Sequence, residues 1–394
     1  MKKQTQAIHL EYERRDAYDS LSVPVYNTLA YEFDNAAVMA EAFTDKIKAP
    51  DYSRVENPTV TNLERRVAAL TDAAHATAFN SGMAAISNTL MALAAQGKNI
   101  VTSKHLFGNT YALLVATLRR FGVKVRLRDL TNIEAVREAI DDDTCCVFLE
   151  ILTNPQLEVA DLKAISEVAH EKNVPLVVDS TVIPFTQFSA KSLGVDIEVV
   201  SSSKYVSGGA TSLGGLVIDY GTPYNGDFAK RLYGEMLFNF GAYMTPQVAY
   251  MQTIGLETLD ARYRVQSSNA LELAKKLRSL PQIKYVNYVG LEDTPYHELA
   301  QRQFGKTAGA MICIDLESKE ACFSFLNNLK LIHRATNLFD NRSLAIHPAS
   351  TIFGAFSESM RKSMDVKDTT IRLSVGLEDV DDLFEDIKQA VDSL

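Results

Sequence analysis

Residues 175–215 read PLVVDSTVIPFTQFSAKSLGVDIEVVSSSKYVSGGATSLGG. PLVVDS and IEVVSS are short runs of branched apolar residues that end in polar groups, Asp179 in the first and Ser201 to Lys204 in the second. Apolar runs without alternation are the mark of strands buried on both faces. Working outward, NIVTS, VKVRL and CCVFLE have the same texture, and helical patterns lie between them: TYALLVATLRRF, NIEAVREAI and ADLKAISEVAHEK. Before these come NLERRVAAL as a short amphipathic helix, AAHATAFN as a strand, and SGMAAISNTLMALAAQ as an Ala-rich helix opened by Ser81. The alternation predicts an α/β fold with a largely parallel sheet covered by helices on both faces. In such sheets, ligands bind beyond the carboxyl ends of the strands.

Beyond residue 245 the texture changes. MTPQVAYMQTIGLETLDARYRVQSSNALELAKKLRSL reads as one or two long helices. IKYVNYV, AGAMICIDL and TIRLSVG read as strands, with helical SKEACFSFLNNL and VDDLFEDIKQAV among them. Residues 1–58 carry no sustained period, although Tyr12, Tyr18, Tyr26, Tyr31 and Tyr52 fall there. The expected organisation is an N-terminal arm over 1–58, a large α/β domain over 59–245 and a smaller α+β domain over 246–394.

The 394 residues carry a formal net charge of -9 with no basic run, so neither a nucleic-acid surface nor a polybasic membrane surface is expected. The start, MKKQTQAIHLEYERRDAYD, lacks the apolar stretch of a signal peptide, and no run approaches the ~20 apolar residues of a membrane span. A cytoplasmic location is the expectation. Cys145, Cys146, Cys313 and Cys322 form no metal-ligand spacing and read as reduced thiols. No metal is expected.

Four clusters stand where an element ends. Ser81-Gly82-Met83 opens a helix after a strand, where small residues let a phosphate approach backbone N–H groups; the ordinary alternative is a Ser N-cap. Asp179 ends a buried strand, where an anion can keep the ring nitrogen of a pyridine cofactor protonated; the alternative is a turn Asp. In VVSSSKYVSGGATSLGG, the hydroxyls of Ser201 and Ser203 flank Lys204, so a phosphate can be held while the amine forms an imine; the alternative is a surface loop. Arg372 lies inside the apolar strand TIRLSVG and needs a paired anion, either a structural carboxylate or the carboxylate of a substrate. Tyr52 and Arg54, two apart in YSRVENPT, face one side of an extended segment, and Phe107 precedes a helix, where a ring can stack on a flat cofactor.

In order, YSRVENPT, SGMAAI, LFGNT, TNP, VVDST, SSSK, HPAS and RLSVGLED resemble the Cys/Met metabolism family of pyridoxal-phosphate (PLP) enzymes, from about residue 50 to 385. That family includes cystathionine γ-synthase, cystathionine lyases, methionine γ-lyase and O-acyl-homoserine sulfhydrylases. The resemblance implies PLP fold type I, with a mostly parallel seven-stranded sheet. It implies that Lys204 carries the cofactor as an imine and shuttles protons, and that Asp179 pairs with the ring nitrogen. Gly82, Met83, Ser201 and Ser203 would hold the phosphate, with Asn154 near the ring's 3-oxygen and Arg372 on the substrate carboxylate. Tyr52 and Arg54 would reach the phosphate in a neighbouring subunit, so that the arm completes a dimer and two dimers make a homotetramer.

The departures from the family pattern narrow the activity. Phe107 stands where many members have Tyr, keeping a stacking ring without its hydroxyl. The loop after Lys204 reads SGGAT where a GHG-type sequence is common, VDST replaces VDNT, Ser203 replaces a commoner Thr, and Asn337 replaces a frequent Ser. The Asn337 form with LFGNTY looks most like the O-acetylhomoserine sulfhydrylases, which replace acetate with sulfide or a small thiol to make homocysteine or methionine. Acetate leaves with little acid help, whereas a thiolate gains more from a proton donor, a kind of help typically worth ~10²–10⁴-fold. Losing the hydroxyl at Phe107 therefore costs acyl-homoserine substrates less. The rival expectations are a γ-lyase acting on methionine or cystathionine, a cystathionine γ-synthase, and a non-catalytic PLP-binding homologue.

Overall fold

The computed structural model describes residues 1–10, 16–44, 46–306 and 308–394; Tyr12 lies outside them. Its larger sheet has seven strands: β1 (His75–Phe79), β2 (Asn99–Thr102), β3 (Lys124–Leu127), β4 (Thr144–Glu150), β5 (Leu176–Asp179), β6 (Ile197–Val200) and β7 (Gly215–Asp219). They lie in the order β1-β7-β6-β5-β4-β2-β3, and only β7 runs against its two neighbours. Leu176, Val177 and Val178 of β5 have no exposed surface, which is why that strand shows no alternation.

The parallel register brings chemistry to one edge. Glu150 of β4 pairs with Asp179 of β5, and β6 delivers the chain directly into Ser201–Lys204. The helix Gly82–Leu93 follows β1 and is capped by Ser81, whose Oγ accepts the Ala84 N–H at 3.1 Å. The helix Pro58–Thr71 starts with a proline at its first turn and an Asn57 cap, and ends at Asp72 with φ 56°. It packs on β1, an edge strand, where Glu64 accepts the outward N–H of Ala78 at 2.7 Å.

A second sheet has β8 (Tyr285–Asn287), β9 (Met311–Asp315), β10 (His333–Arg334), β11 (Leu344–Ile346) and β12 (Thr370–Ser374), in the order β10-β11-β12-β9-β8. All its pairs are antiparallel except β10 with β11. The helix Val380–Val391 packs against both Leu259–Leu277 and Lys319–Asn328.

The structure departs from the sequence reading at several places. Gly215, the last residue of the expected Gly loop, opens β7, a strand that the sequence pattern did not bring out. The helix expected over TYALLVATLRRF begins at Gly108 and continues as a π turn over Leu113–Thr117 and a 3-10 turn over Leu118–Phe121. IKYVNYV forms a strand of three residues only. Residues 1–58 are not wholly irregular: Lys3–His9 and Ala36–Ala42 are helices. The first packs on its own chain, with Lys3 Nζ donating to the carbonyls of Phe185 and Phe188 at 3.3 and 3.0 Å. Pro246–Glu257 packs on Pro58–Thr71, so the chain beyond 245 first returns to the larger sheet's side before building the second.

The four cysteines are free thiols. Among the described residues, no helix is long and apolar enough to cross a membrane, and no cluster of three or more His, Cys, Asp or Glu is placed to hold a metal.

Candidate active site

A cleft of about 370 Å³ opens at the carboxyl edge of the larger sheet. Gly82, Met83, Ser201, Ser203, Lys204 and Asn337 all line it, together with Ser81 and the loop Ala210–Leu213. A larger hollow of about 600 Å³, between Leu271 and Ala308, contains none of the site residues expected from the sequence.

At one end of the cleft, the N-terminus of the helix Gly82–Leu93 meets the turn after β6. The two approach so closely that a Cβ on Gly82 would lie 2.6 Å from the Cβ of Ser201. Glycine is required there by space, and the backbone N–H groups of the first helical turn open onto the cleft beside hydroxyl groups. The turn is held from behind: Thr181 Oγ1 accepts the Ser201 N–H at 2.8 Å, and Ser203 Oγ accepts the Gly214 N–H at 2.9 Å.

Lys204 projects from this turn. Burial, with the Arg372 guanidinium nearby, pushes its amine down to about 8, so the neutral nucleophilic form is within easy reach. Its Nζ donates to Asn337 Oδ1 at 2.6 Å. The Asn337 carbonyl in turn accepts from Arg372 at 3.3 Å, and Asn154 Oδ1 accepts from the same guanidinium at 3.2 Å. Arg372 is 2% exposed, its Nε has no partner, and burial lowers its pKa to about 10. Among the described residues its two partners are both neutral and no salt bridge forms, so the fork still wants an anion.

Asp179 is held by the Thr181 N–H at 2.9 Å, and burial raises its pKa. Phe107 is half-buried just before Gly108, and its N–H donates to Glu150 Oε1 at 2.5 Å. Asn154 N–H donates to the other oxygen of the same carboxyl at 3.3 Å. Hydrogen bonds thus run without a break from Lys204 through Asn337, Arg372, Asn154 and Glu150 to Phe107. Glu150 was missed by the sequence reading, although it ends CCVFLE as Asp179 ends PLVVD. Tyr52 and Arg54 do not line the cleft of their own chain. Tyr52 is 41% exposed, the Arg54 guanidinium lies 5.5 Å from its ring centroid, and Arg54 donates to the Phe238 carbonyl.

These residues fit pyridoxal phosphate. A small-residue cradle with free helix N–H groups suits the phosphate, a buried lysine with a lowered pKa suits imine chemistry, and a buried carboxylate suits the ring nitrogen.

Comparison with known proteins agrees. The family model described as Cys/Met metabolism PLP-dependent enzyme matches residues 4–392. An L-methionine gamma-lyase of Fusobacterium nucleatum subsp. polymorphum is 37% identical, over 99% of this chain and 98% of that protein. An O-acetyl-L-homoserine sulfhydrylase of Corynebacterium glutamicum is 32% identical, over 98% of this chain and 95% of its own length. The crystal structure of a putative O-acetylhomoserine (thiol)-lyase from Campylobacter jejuni, carrying a pyridoxyl-lysine phosphate, superposes with a TM-score of 0.95 at 34% identity, covering all of both chains. Matched by the family model over residues 4–392 and by relatives more than 30% identical along its length, this chain belongs to the Cys/Met metabolism family of PLP-dependent enzymes.

Proposed function

We propose that the protein is an O-acetylhomoserine sulfhydrylase: sulfide replaces the acetate of O-acetylhomoserine at Cγ, giving homocysteine. The C–O bond at Cγ breaks with its electrons leaving on acetate, and a C–S bond forms in its place. The observation that carries this reading is Phe107, an aromatic ring without a hydroxyl, fixed at its backbone beside the Glu150–Asp179 strand ends. Acetate needs no proton to depart, so a site that offers a ring but no acid there suits it.

Bound PLP supplies an electron sink for bonds at the α-carbon of an amino acid. The chain's own residues do the rest. Gly82, Met83, Ser201 and Ser203 would hold the phosphate, Asp179 would accept the ring N–H, and Asn154 would sit at the 3-oxygen. Arg372 turns its unsatisfied fork to the substrate carboxylate, giving up neutral acceptors for a bidentate anion. Lys204 would take one proton from Cα and a second from Cβ, and return them after sulfide has added at Cγ, a role that its pKa of about 8 suits near neutral pH. Asn337 keeps that amine beside Arg372, and hence beside the substrate. Phe107 covers one face of the ring.

The assembly is read in the same way. Tyr52 and Arg54, turned away from their own cleft, would complete the phosphate site of a second chain, with the arm 1–58 reaching across it and two such pairs forming a homotetramer. The domain division at 58 and 245 and a cytoplasmic location belong to the same proposal.

A second reading, methionine γ-elimination, is favoured by the 37% identity to L-methionine gamma-lyase. Mass spectrometry of products from the loaded enzyme separates the two. The expected result is homocysteine from O-acetylhomoserine only when sulfide is present. 2-Oxobutyrate as the main product in the presence of sulfide overturns the sulfhydrylase reading.

A further inference from the structure

Glu150 carries out no step of the mechanism above, yet it is placed where several site residues meet. It is 6% exposed at the carboxyl end of β4, in register with Asp179 on β5. Its two oxygens accept two different backbone N–H groups, those of Phe107 and Asn154, and neither amide has another hydrogen-bond acceptor among the described residues. Phe107 lies in the segment after β2 and Asn154 in the segment after β4, so one carboxyl group ties together two loops that no backbone hydrogen bond joins here. Through Asn154 Oδ1 the tie extends to Arg372.

We propose that Glu150 is a positioning residue of the cofactor site: its two carboxyl oxygens clamp Phe107 and Asn154 at their places around the ring. The proposal rests on the reading above that Phe107 and Asn154 flank the ring. The chemistry is specific to a carboxyl group, whose two oxygens each accept one N–H. A glutamine of the same size has one acceptor oxygen, and its NH2 would face the second N–H, so one arm of the clamp must open. Burial and Asp179 already push the Glu150 carboxyl up to about 8, as expected when two carboxylates share one dry corner.

The test compares wild type with Glu150→Gln and Glu150→Ala. The readouts are the dissociation constant for pyridoxal phosphate, the visible circular dichroism of the bound cofactor, and far-ultraviolet circular dichroism as the check on folding. The clamp predicts that Glu150→Gln weakens cofactor retention by about tenfold or more, the scale of one buried N–H left without its acceptor, and alters the visible band nearly as much as Glu150→Ala does. A Glu150→Gln protein with wild-type affinity and band, with loss only in Glu150→Ala, would mean that Glu150 merely fills space and overturns the proposal.

Hydrogen exchange of the wild-type holoenzyme decides the matter if the variants do not fold. The Phe107 and Asn154 amides, both outside strands, are expected to exchange at least about tenfold slower than open amides; free exchange of either breaks the clamp. Protected amides together with a cofactor band unchanged in both variants would instead count against Phe107 and Asn154 flanking the ring. The identity of the sulfur-transfer product plays no part in this result.

Discussion

At the scale of single residues, Arg372 is the clearest case of a side chain whose surroundings declare its purpose. A guanidinium in an apolar strand signals an anion, and the described residues supply two neutral oxygens and no carboxylate. Replacing Arg372 with Lys keeps the charge and loses the fork. It is expected to raise KM for the amino-acid substrate by about 10- to 100-fold, matching ~1.5–3 kcal/mol for a charged hydrogen bond, while the cofactor's visible band stays unchanged. A shifted band with unaltered KM would place Arg372 on the cofactor instead. Phe107→Tyr tests the leaving-group argument. Restoring a hydroxyl is expected to raise methionine elimination relative to acetate replacement by about tenfold or more, read as a ratio of kcat/KM values. Lys204, Asp179 and Arg372 stood out by residue type and position, each beside an ordinary alternative, and the family resemblance favoured the site reading; the structure links Lys204 to Arg372 through Asn337. Asn337 itself did not stand out, because an asparagine in TNLFDN has no feature of its own; only the family pattern singled it out, and the structure adds its bonds to Lys204 and Arg372. Glu150 was legible in principle, as a carboxylate closing a buried strand, but its partners are backbone amides, which leave no trace in sequence.

At the scale of elements, the parallel strands were readable because burial on both faces leaves unbroken apolar runs. β7 was not, because it starts with Gly215 and follows Gly214. Both glycines serve packing rather than a turn: a Cβ on Gly214 would lie 2.5 Å from Ser202 Oγ, and one on Gly215 would collide with the Ser81 carbonyl. The edge strand β1 gives a prediction about pH. Glu64, on the helix Pro58–Thr71, accepts the Ala78 N–H, and burial raises its carboxyl from 4.5 to about 8. Between these values the unfolded chain gives up its proton while the folded chain keeps it. The stability contributed by this group is therefore complete below 4.5 and is lost as pH rises through about 8. Glu150 acts in the same direction. Thermal midpoints of the cofactor-free protein are expected to fall between about pH 5 and 8, and Glu64→Gln, which keeps the acceptor for Ala78, is expected to flatten that slope. An equal slope in wild type and Glu64→Gln would show that Glu64 is ionised in the folded state.

At the scale of the whole molecule, the two sheets meet at the candidate active site: the larger one carries Asp179 and leads into Lys204, and the second one carries Arg372 on β12. The alternation of elements made this architecture legible. The arm was less so, since helices of seven residues leave too short a period to read. Tyr52 and Arg54 lie away from the cleft of their own chain, and a second copy is what would use them. Mixing Lys204→Ala with Arg54→Ala chains, each inactive alone, is expected to restore activity to about a quarter of wild type, because half of randomly paired dimers hold one intact site. No recovery after dissociation and reassociation would confine the site to one chain. The central claim is the preference for acyl replacement. It is tested most directly by kcat/KM for O-acetylhomoserine with sulfide against kcat/KM for methionine elimination, measured on one preparation of the PLP-loaded enzyme. A ratio above about 100 in favour of O-acetylhomoserine is the result predicted from the missing hydroxyl at Phe107. A ratio below one would contradict it and make the protein a γ-lyase built on the same cleft.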